Sequence, residues 1–321
     1  MFFLDGSAGE VLRGLTASQK WLPAKLFYDA AGSALFEKIT ELPEYYLTST
    51  EEGIFERSAR QMVECAGGAS TIVELGAGTA KKSVLILRAA LELHREVRFI
   101  PVDVSSSAME IAKKRVSAEL PEVEVQPLVL DYTQRSRVLA EIGGRKLVLF
   151  IGSSIGNFEP MAASALLGRL RSSLNDGDSL LLGTDMRKPA DVLMAAYDDA
   201  YGITAQFNRN ILTHINREYG GNFDVHRFEH RVRWNERESR IEMHLESLED
   251  QLVKIAALNL SVAFGRGETI HTENSYKFTE AMIEGIAWNA GLSIEQQWSD
   301  ERGWFTVSLL RVNGNGARHG D

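Results

Sequence analysis

Cysteine is almost absent from this chain. Cys65 is the single instance among 321 residues, so neither an intrachain disulfide nor a thiolate metal cluster can form. That usage fits a reducing compartment, with Cys65 serving as a small apolar filler. Long apolar runs are missing too: stretches such as 147–151 fall far short of the roughly 20 residues that a membrane span requires. No run of Lys or Arg stands out, and 35 basic against 44 acidic residues leave a formal charge of -9, a field that repels phosphate backbones. Residues 1–11 carry Asp5 and Glu10 and no basic leader, so no secretory signal is read there and a cytoplasmic location is expected. Nucleic acid and membrane are set aside as partners, and no metal site or obligate protein partner is evident. The Gly-rich polar stretch 313–321 is expected to be a disordered tail.

What is present is ordinary globular material, 44% hydrophobic and 25% charged, enough for two domains or one large one. Between residues 70 and 185 short β-rich runs alternate with helical stretches, the pattern of a parallel sheet covered on both faces. The expected strands are 71–75, 98–102, 123–130, 146–151 and 179–183, and the expected helices 82–94, 105–119, 133–142 and 160–174. Ser105 and Thr133 sit where N-caps belong. The rhythm then breaks, with a helix at 190–201 and a hairpin of 228–236 and 240–247. It resumes with a helix from Thr279 to Ala290, a Gly291 stop, and strands at 293–298 and 305–311. A terminal strand pair closing a parallel sheet marks the class I methyltransferase fold, a Rossmann-like doubly wound α/β sheet. Domain boundaries follow: 47–186 with 278–312 for the cofactor domain, and 1–46 with 187–277, an insertion after strand five, for a substrate domain.

The strongest local motif is Val73-Glu74-Leu75-Gly76-Ala77-Gly78-Thr79, a strand entering a glycine turn before a helix. Glycines let the backbone approach a ligand, and the helix N-terminus offers free N–H groups to an anion. The third glycine of a dinucleotide fingerprint would fall at Lys81, which argues against a NAD-dependent dehydrogenase, the rival enzyme class. S-adenosylmethionine instead needs an anchor for its carboxylate end, and Lys82 in the first helical turn can supply one. Asp103, ending the second strand, can accept from both ribose hydroxyls, while Asp131, ending the third, can accept from the adenine amine with Tyr132 against the ring. Gly152-Ser153-Ser154-Ile155-Gly156-Asn157-Phe158, after the fourth strand, brings small residues and an amide to the same edge.

Further motifs are Lys25-Leu26-Phe27-Tyr28-Asp29, Leu42-Pro43-Glu44-Tyr45-Tyr46, Ala205-Gln206-Phe207-Asn208-Arg209-Asn210, Arg240-Ile241-Glu242-Met243 and Thr272-Glu273-Asn274-Ser275-Tyr276-Lys277-Phe278. With the glycine turn and Gly156-Asn157 they make the chain, from Leu15 to Arg311, resemble the histidine Nα-methyltransferases of ergothioneine biosynthesis. The resemblance implies three methyl transfers from S-adenosylmethionine to the α-amino group of L-histidine, giving hercynine; another amino acid is the alternative acceptor. It further implies that Gly76, Lys82, Asp103, Asp131 and Tyr132 serve the cofactor, Tyr132 standing where Phe is expected. Tyr45 and Tyr197 would hold the substrate carboxylate, and Asn157 and Tyr28 would serve the amine. Glu273 and Ser275 would grip the imidazole, with Met243 lining the ring pocket. Imidazole has two distinct nitrogens, and a carboxylate beside a hydroxyl can address both.

Overall fold

The computed structural model describes residues 6–133 and 138–312. The tail 313–321 and the start of the helix expected at 133–142 lie outside the described residues. The chain divides into two compact units, one of Met1–Tyr46 with Lys188–Ser275, the other of Leu47–Arg187 with Tyr276–Asp321.

In chain order the elements are α1 (Gly6–Thr16), β1 (Lys20–Trp21), α2 (Ala30–Thr40), α3 (Tyr46–Cys65), β2 (Thr71–Leu75), α4 (Ser83–Leu93), β3 (Val97–Asp103) and α5 (Ser106–Glu119). They continue with β4 (Val123–Val125), β5 (Leu128–Val129), α6 (Val138–Glu141), β6 (Lys146–Phe150), α7 (Pro160–Arg171), β7 (Ser179–Asp185), α8 (Ala190–Ala195) and α9 (Ile203–Tyr219). Last come β8 (Phe228–Asn235), β9 (Arg240–Ser247), β10 (Gln251–Ile255), β11 (Leu260–Phe264), β12 (Thr269–Tyr276), α10 (Glu280–Asn289), β13 (Leu292–Ser299) and β14 (Phe305–Val312).

The larger unit is a doubly wound sheet in the order β13-β14-β7-β6-β2-β3-β4, with β5 also paired to β3. β2 is parallel to both β3 and β6, and β14 runs antiparallel to β7 and β13. The chain moves outward from β2 to β4 and then returns to β6 on the other side. This reversal puts the switch point, where open α/β sheets bind ligands, at the carboxyl ends of β2 and β6. Burial on both faces explains the apolar runs Ile72–Val73 in β2 and Leu147–Phe150 in β6, with Thr71, Glu74 and Lys146 as buried polar exceptions. Alternate residues feed two cores: Leu147 and Leu149 join Phe55, Met62 and Phe99, while Val148 and Phe150 join Leu166, Leu170 and Ile283. Ser105 caps α5 by accepting from the Ala108 N–H at 3.2 Å, an interaction typically worth about 1 kcal/mol.

Two expected elements differ. The single strand at 123–130 is split into β4 and β5, because Pro127 has no N–H to continue the ladder. The helix at 190–201 ends at Ala195, and a second helix, α9, starts after Gly202, whose φ of +68° is left-handed. No counterpart of α9 exists in the sequence reading.

The smaller unit has a four-stranded sheet, β1-β12-β9-β8, and a separate pair, β10-β11. β8 and β9 pair antiparallel from Phe228 opposite Ser247 to Asn235 opposite Arg240. Phe207, Ile211, Leu212 and Ile215 form the buried stripe of α9 at helical spacing. Phe223, Phe228 and Phe264 close another part of this core with ring centroids 5.4–6.1 Å apart. Among the described residues no helix is long and apolar enough to cross a membrane.

Candidate active site

In the larger unit the glycine turn is built by backbone that only glycine adopts readily. Gly76 and Gly78 have φ of +68° and +52°, and a Cβ on Gly78 would meet nothing within 4 Å. Asp103 spans this turn: Oδ2 accepts from the Gly78 N–H at 3.0 Å and Oδ1 from the Ser105 N–H at 2.9 Å. Each carboxylate oxygen keeps a second lone pair for a ligand hydroxyl. Asp131 accepts from the N–H of Thr133 at 2.9 Å and from its hydroxyl. The Tyr132 ring lies edge-on to Phe150 at 5.7 Å, and its hydroxyl is 3.6 Å from where a Gly76 Cβ would sit. Burial, together with Asp103 and Asp131, pushes the Tyr132 phenol above its ordinary range. Gly76, Asp103, Asp131 and Tyr132 therefore gather at one sheet edge.

Lys82 precedes α4 and its ammonium pairs with Glu51 of α3, a residue absent from the sequence reading. Glu51 is fully buried and also accepts from the Gly152 N–H, at 2.9 and 3.0 Å from its two oxygens. Nearby, burial raises the Glu74 carboxyl to about 8, despite the Ser83 hydroxyl that donates to it. Asn157 ends the short turn Ser154–Asn157 after β6. Left-handed Ser153 precedes that turn, and its Oγ accepts from the Asp185 N–H at 2.9 Å. Asp185 in turn forms a buried ion pair with Lys277 at 2.7 Å.

In the smaller unit Tyr28 lies edge-on to Phe36 and Phe207, each at 5.7 Å. The next residue, Asp29, caps α2 by accepting from the Gly32 N–H at 2.8 Å, and Asn210 and Arg217 also donate to it, each at 2.8 Å. Burial pushes the Asp29 carboxyl up, but these donors outweigh it and leave it below its usual range. Gly32 is obligatory: a Cβ there would lie 1.7 Å from the Phe27 carbonyl oxygen. Tyr45 packs edge-on against Tyr197 at 6.2 Å, and the Tyr197 hydroxyl is 2.7 Å from Ser275 Oγ. Tyr28, Tyr45, Tyr197 and Ser275 are thus joined in one aromatic and hydroxyl group.

A buried chain of hydrogen bonds holds Tyr197 from behind. His230 Nε2 donates to the Tyr197 carbonyl at 2.9 Å, and its Nδ1 accepts from Asn208 Nδ2 at 2.8 Å. Burial holds His230 below its ordinary pKa, which keeps the accepting nitrogen available. Asn208 also receives Thr272 Oγ1 at 2.7 Å, and that hydroxyl lies 3.0 Å from the carbonyl of Met243. Met243 itself is buried within this unit. Glu273 is half-buried on β12, two residues from Ser275, and its carbonyl accepts from His271 Nε2 at 3.0 Å. Glu242, His244 and His271 have ligand atoms within 4.8 Å of one another. The two imidazoles are stacked with planes 17° apart and centroids 4.6 Å apart, so their in-plane lone pairs lie in two nearly parallel, offset planes.

The family described as histidine-specific, S-adenosylmethionine-dependent methyltransferases matches residues 7–312. The histidine N-alpha-methyltransferase of Mycolicibacterium smegmatis is 44% identical over 94% of this chain and 95% of its own length. That of Mycobacterium tuberculosis is 44% identical over 94% of this chain and 93% of its own. Among solved structures, the magnesium protoporphyrin IX methyltransferase of Synechocystis with bound SAH superposes with a TM-score of 0.46 and 12% identity, covering 88% of this chain and 95% of its own. Lys81 at the third fingerprint position and the match over 7–312 together displace the nicotinamide alternative. The protein is an S-adenosylmethionine-dependent enzyme and belongs to the histidine-specific methyltransferase family.

Proposed function

We propose that the protein methylates the α-amino group of L-histidine three times to give hercynine, the first step of ergothioneine biosynthesis, and does so in the cytoplasm. The observation that carries this reading is the 44% identity to histidine N-alpha-methyltransferases over 94% of the chain, which spans both units. On this reading the larger unit is the cofactor domain and the smaller one the substrate domain.

The residues fit S-adenosylmethionine. Open space over Gly78 leaves a backbone cradle, and the Asp103 carboxylate keeps lone pairs for a ribose diol. Asp131 and Tyr132 suit an adenine edge and face, and Gly76 admits close approach. Lys82 has an ammonium with three donors, of which Glu51 takes one, and the others suit the carboxylate of the methionine end. When bound, S-adenosylmethionine supplies an electrophilic methyl group on a sulfonium.

The task of the remaining residues is to present a neutral amine in line with that methyl, so that orientation supplies most of the rate. Tyr45 and Tyr197 hold the substrate carboxylate through phenol hydroxyls, which add no full positive charge near an amine that becomes cationic. Glu273 accepts from one imidazole nitrogen and Ser275 addresses the other, with Met243 behind the ring. Because the Tyr197 hydroxyl is bonded to Ser275, carboxylate and ring recognition are mechanically coupled. Asn157 and Tyr28 serve the amine, with the Tyr28 hydroxyl guiding the departing proton. Aromatic faces tolerate the trimethylammonium product through cation–π attraction.

The test is mass spectrometry after incubation with S-adenosylmethionine and each of the twenty amino acids. Histidine gaining three methyl groups supports the reading, and NMR should place all of them on the α-nitrogen. Trimethylation of another amino acid in preference, or a methylated ring nitrogen, overturns it.

A further inference from the structure

We infer that Glu51 is a positioning residue for the methyl donor, its buried carboxylate fixing the Lys82 ammonium and the Gly152 peptide at one point of the sheet edge. The inference rests on the reading of Lys82 as the anchor for the carboxylate end of S-adenosylmethionine.

Glu51 lies on α3, 31 residues before its ion-pair partner and 101 before its backbone partner. Its two oxygens accept from the Gly152 N–H at 2.9 and 3.0 Å, and Oε2 also receives the Lys82 ammonium. The space it occupies is cleared by a glycine: a Cβ on Gly183 of β7 would fall 2.4 Å from Glu51 Oε1. A second glycine limits crowding around the lysine, since a Cβ on Gly152 would lie 3.1 Å from Lys82 Nζ. Gly152 follows β6 and the glycine turn follows β2, and these two strands pair side by side at the switch point. One carboxylate thus ties both ligand-facing turns together.

A pair of this kind is a poor device for stability alone. Removing a carboxylate and an ammonium from water is expensive, and well-packed apolar residues of similar volume usually stabilise as well or better. The helix does not need it for anchorage, because Ile54, Phe55, Met62 and Val63 already bury α3 in the core. The pair is also asymmetric. Glu51 is 0% exposed while the Lys82 side chain is 20% exposed, so the lysine is held from the protein side and remains open toward a ligand. A buried acceptor that saturates only part of an ammonium fixes its position and leaves donors for an incoming carboxylate. Glu51 does not itself touch the donor in this scheme; it acts through Lys82 and Gly152.

The experiment uses the full chain as wild type, E51Q, E51D, K82M and the E51Q/K82M double variant, with folding checked by thermal melts. KM for S-adenosylmethionine and for histidine are measured separately, and S-adenosylhomocysteine binding is followed by calorimetry. E51Q is expected to raise KM for S-adenosylmethionine about tenfold or more, the scale of a lost charge-assisted hydrogen bond, with KM for histidine nearly unchanged. E51D should recover part of the loss, and the double variant should be little worse than K82M. A folded E51Q with wild-type KM for S-adenosylmethionine, or losses that add fully in the double variant, overturns the inference. K82M separates the two readings. Normal binding in K82M defeats the role given to Lys82 and this inference with it, whereas impaired K82M beside normal E51Q defeats the inference alone. Should E51Q not fold, G183A decides, because it keeps both charges and its Cβ collides chiefly with the carboxylate, 2.4 Å from Oε1 against 3.2 Å from Ile151 Cα and Phe305 Cε1. The same donor-specific loss supports the inference, and a wild-type KM overturns it.

Discussion

The Tyr197 hydroxyl and Ser275 Oγ, 78 residues apart in the chain, lie 2.7 Å from each other in a buried hydrogen bond. This contact joins a phenol proposed for the substrate carboxylate to a hydroxyl proposed for the imidazole. Tyr197→Phe removes one partner and keeps the ring that packs on Tyr45. A hydrogen bond of this type contributes about 0.5–1.5 kcal/mol, so KM for histidine should rise roughly two- to tenfold. Steady-state kinetics check it, and an unchanged KM for histidine beside a raised KM for S-adenosylmethionine would contradict the assignment.

Asp103→Ala removes the acceptor for the Gly78 and Ser105 N–H groups as well as the one proposed for the ribose. Loss of a charge-assisted acceptor costs about 1.5–3 kcal/mol, so affinity for S-adenosylmethionine should fall roughly ten- to hundredfold. Calorimetry on the folded variant is the measurement. Wild-type affinity would reject the role.

Ring recognition is tested through Glu273 and Met243. If Glu273 accepts from the imidazole N–H, Glu273→Ala leaves a buried donor unpaired at about 1–3 kcal/mol and histidine turnover should collapse. Met243 is only 2% exposed, so adding Met243→Val opens space and should favour a bulkier ring such as the indole of tryptophan. A direct competition between histidine and tryptophan decides. Retention of the wild-type preference in the folded double variant would move the ring pocket elsewhere.

Stability should also depend on His244. Burial, reinforced by the nearby His271, lowers this imidazole to about 4, and its Nδ1 is buried without a hydrogen-bond partner. The unfolded chain binds a proton near pH 6.5 while the folded one does not until about 4, so stability falls as pH drops through that window. The full effect is on the order of 3 kcal/mol, reduced by coupling to Glu242. Burial alone would raise Glu242, but Asn235, Arg240 and His244 donate to it and leave it well below the usual carboxylate range, so its own loss comes only at lower pH. The difference in melting temperature between pH 7.5 and 5 should shrink in His244→Gln. Equal differences in the two proteins would refute the linkage.

The sequence by itself determined the doubly wound sheet, because strand and helix periods are local and the parallel strands of a covered sheet carry apolar runs, such as Ile72–Val73 and Leu147–Phe150, in place of a strict polar alternation. It also determined the glycine turn and the strand-end carboxylates Asp103 and Asp131, since these are read from neighbours a few residues away. Tertiary structure alone decided the rest. Glu51 looks like any polar residue on an amphipathic helix until Gly152, Lys82 and Gly183 converge on it from three other segments. The path from Thr272 through Asn208 and His230 to Tyr197 is equally silent in the sequence, because it links four segments whose separation along the chain carries no period. Buried polar groups find their partners by proximity in space, and proximity between distant segments exists only once the chain has folded.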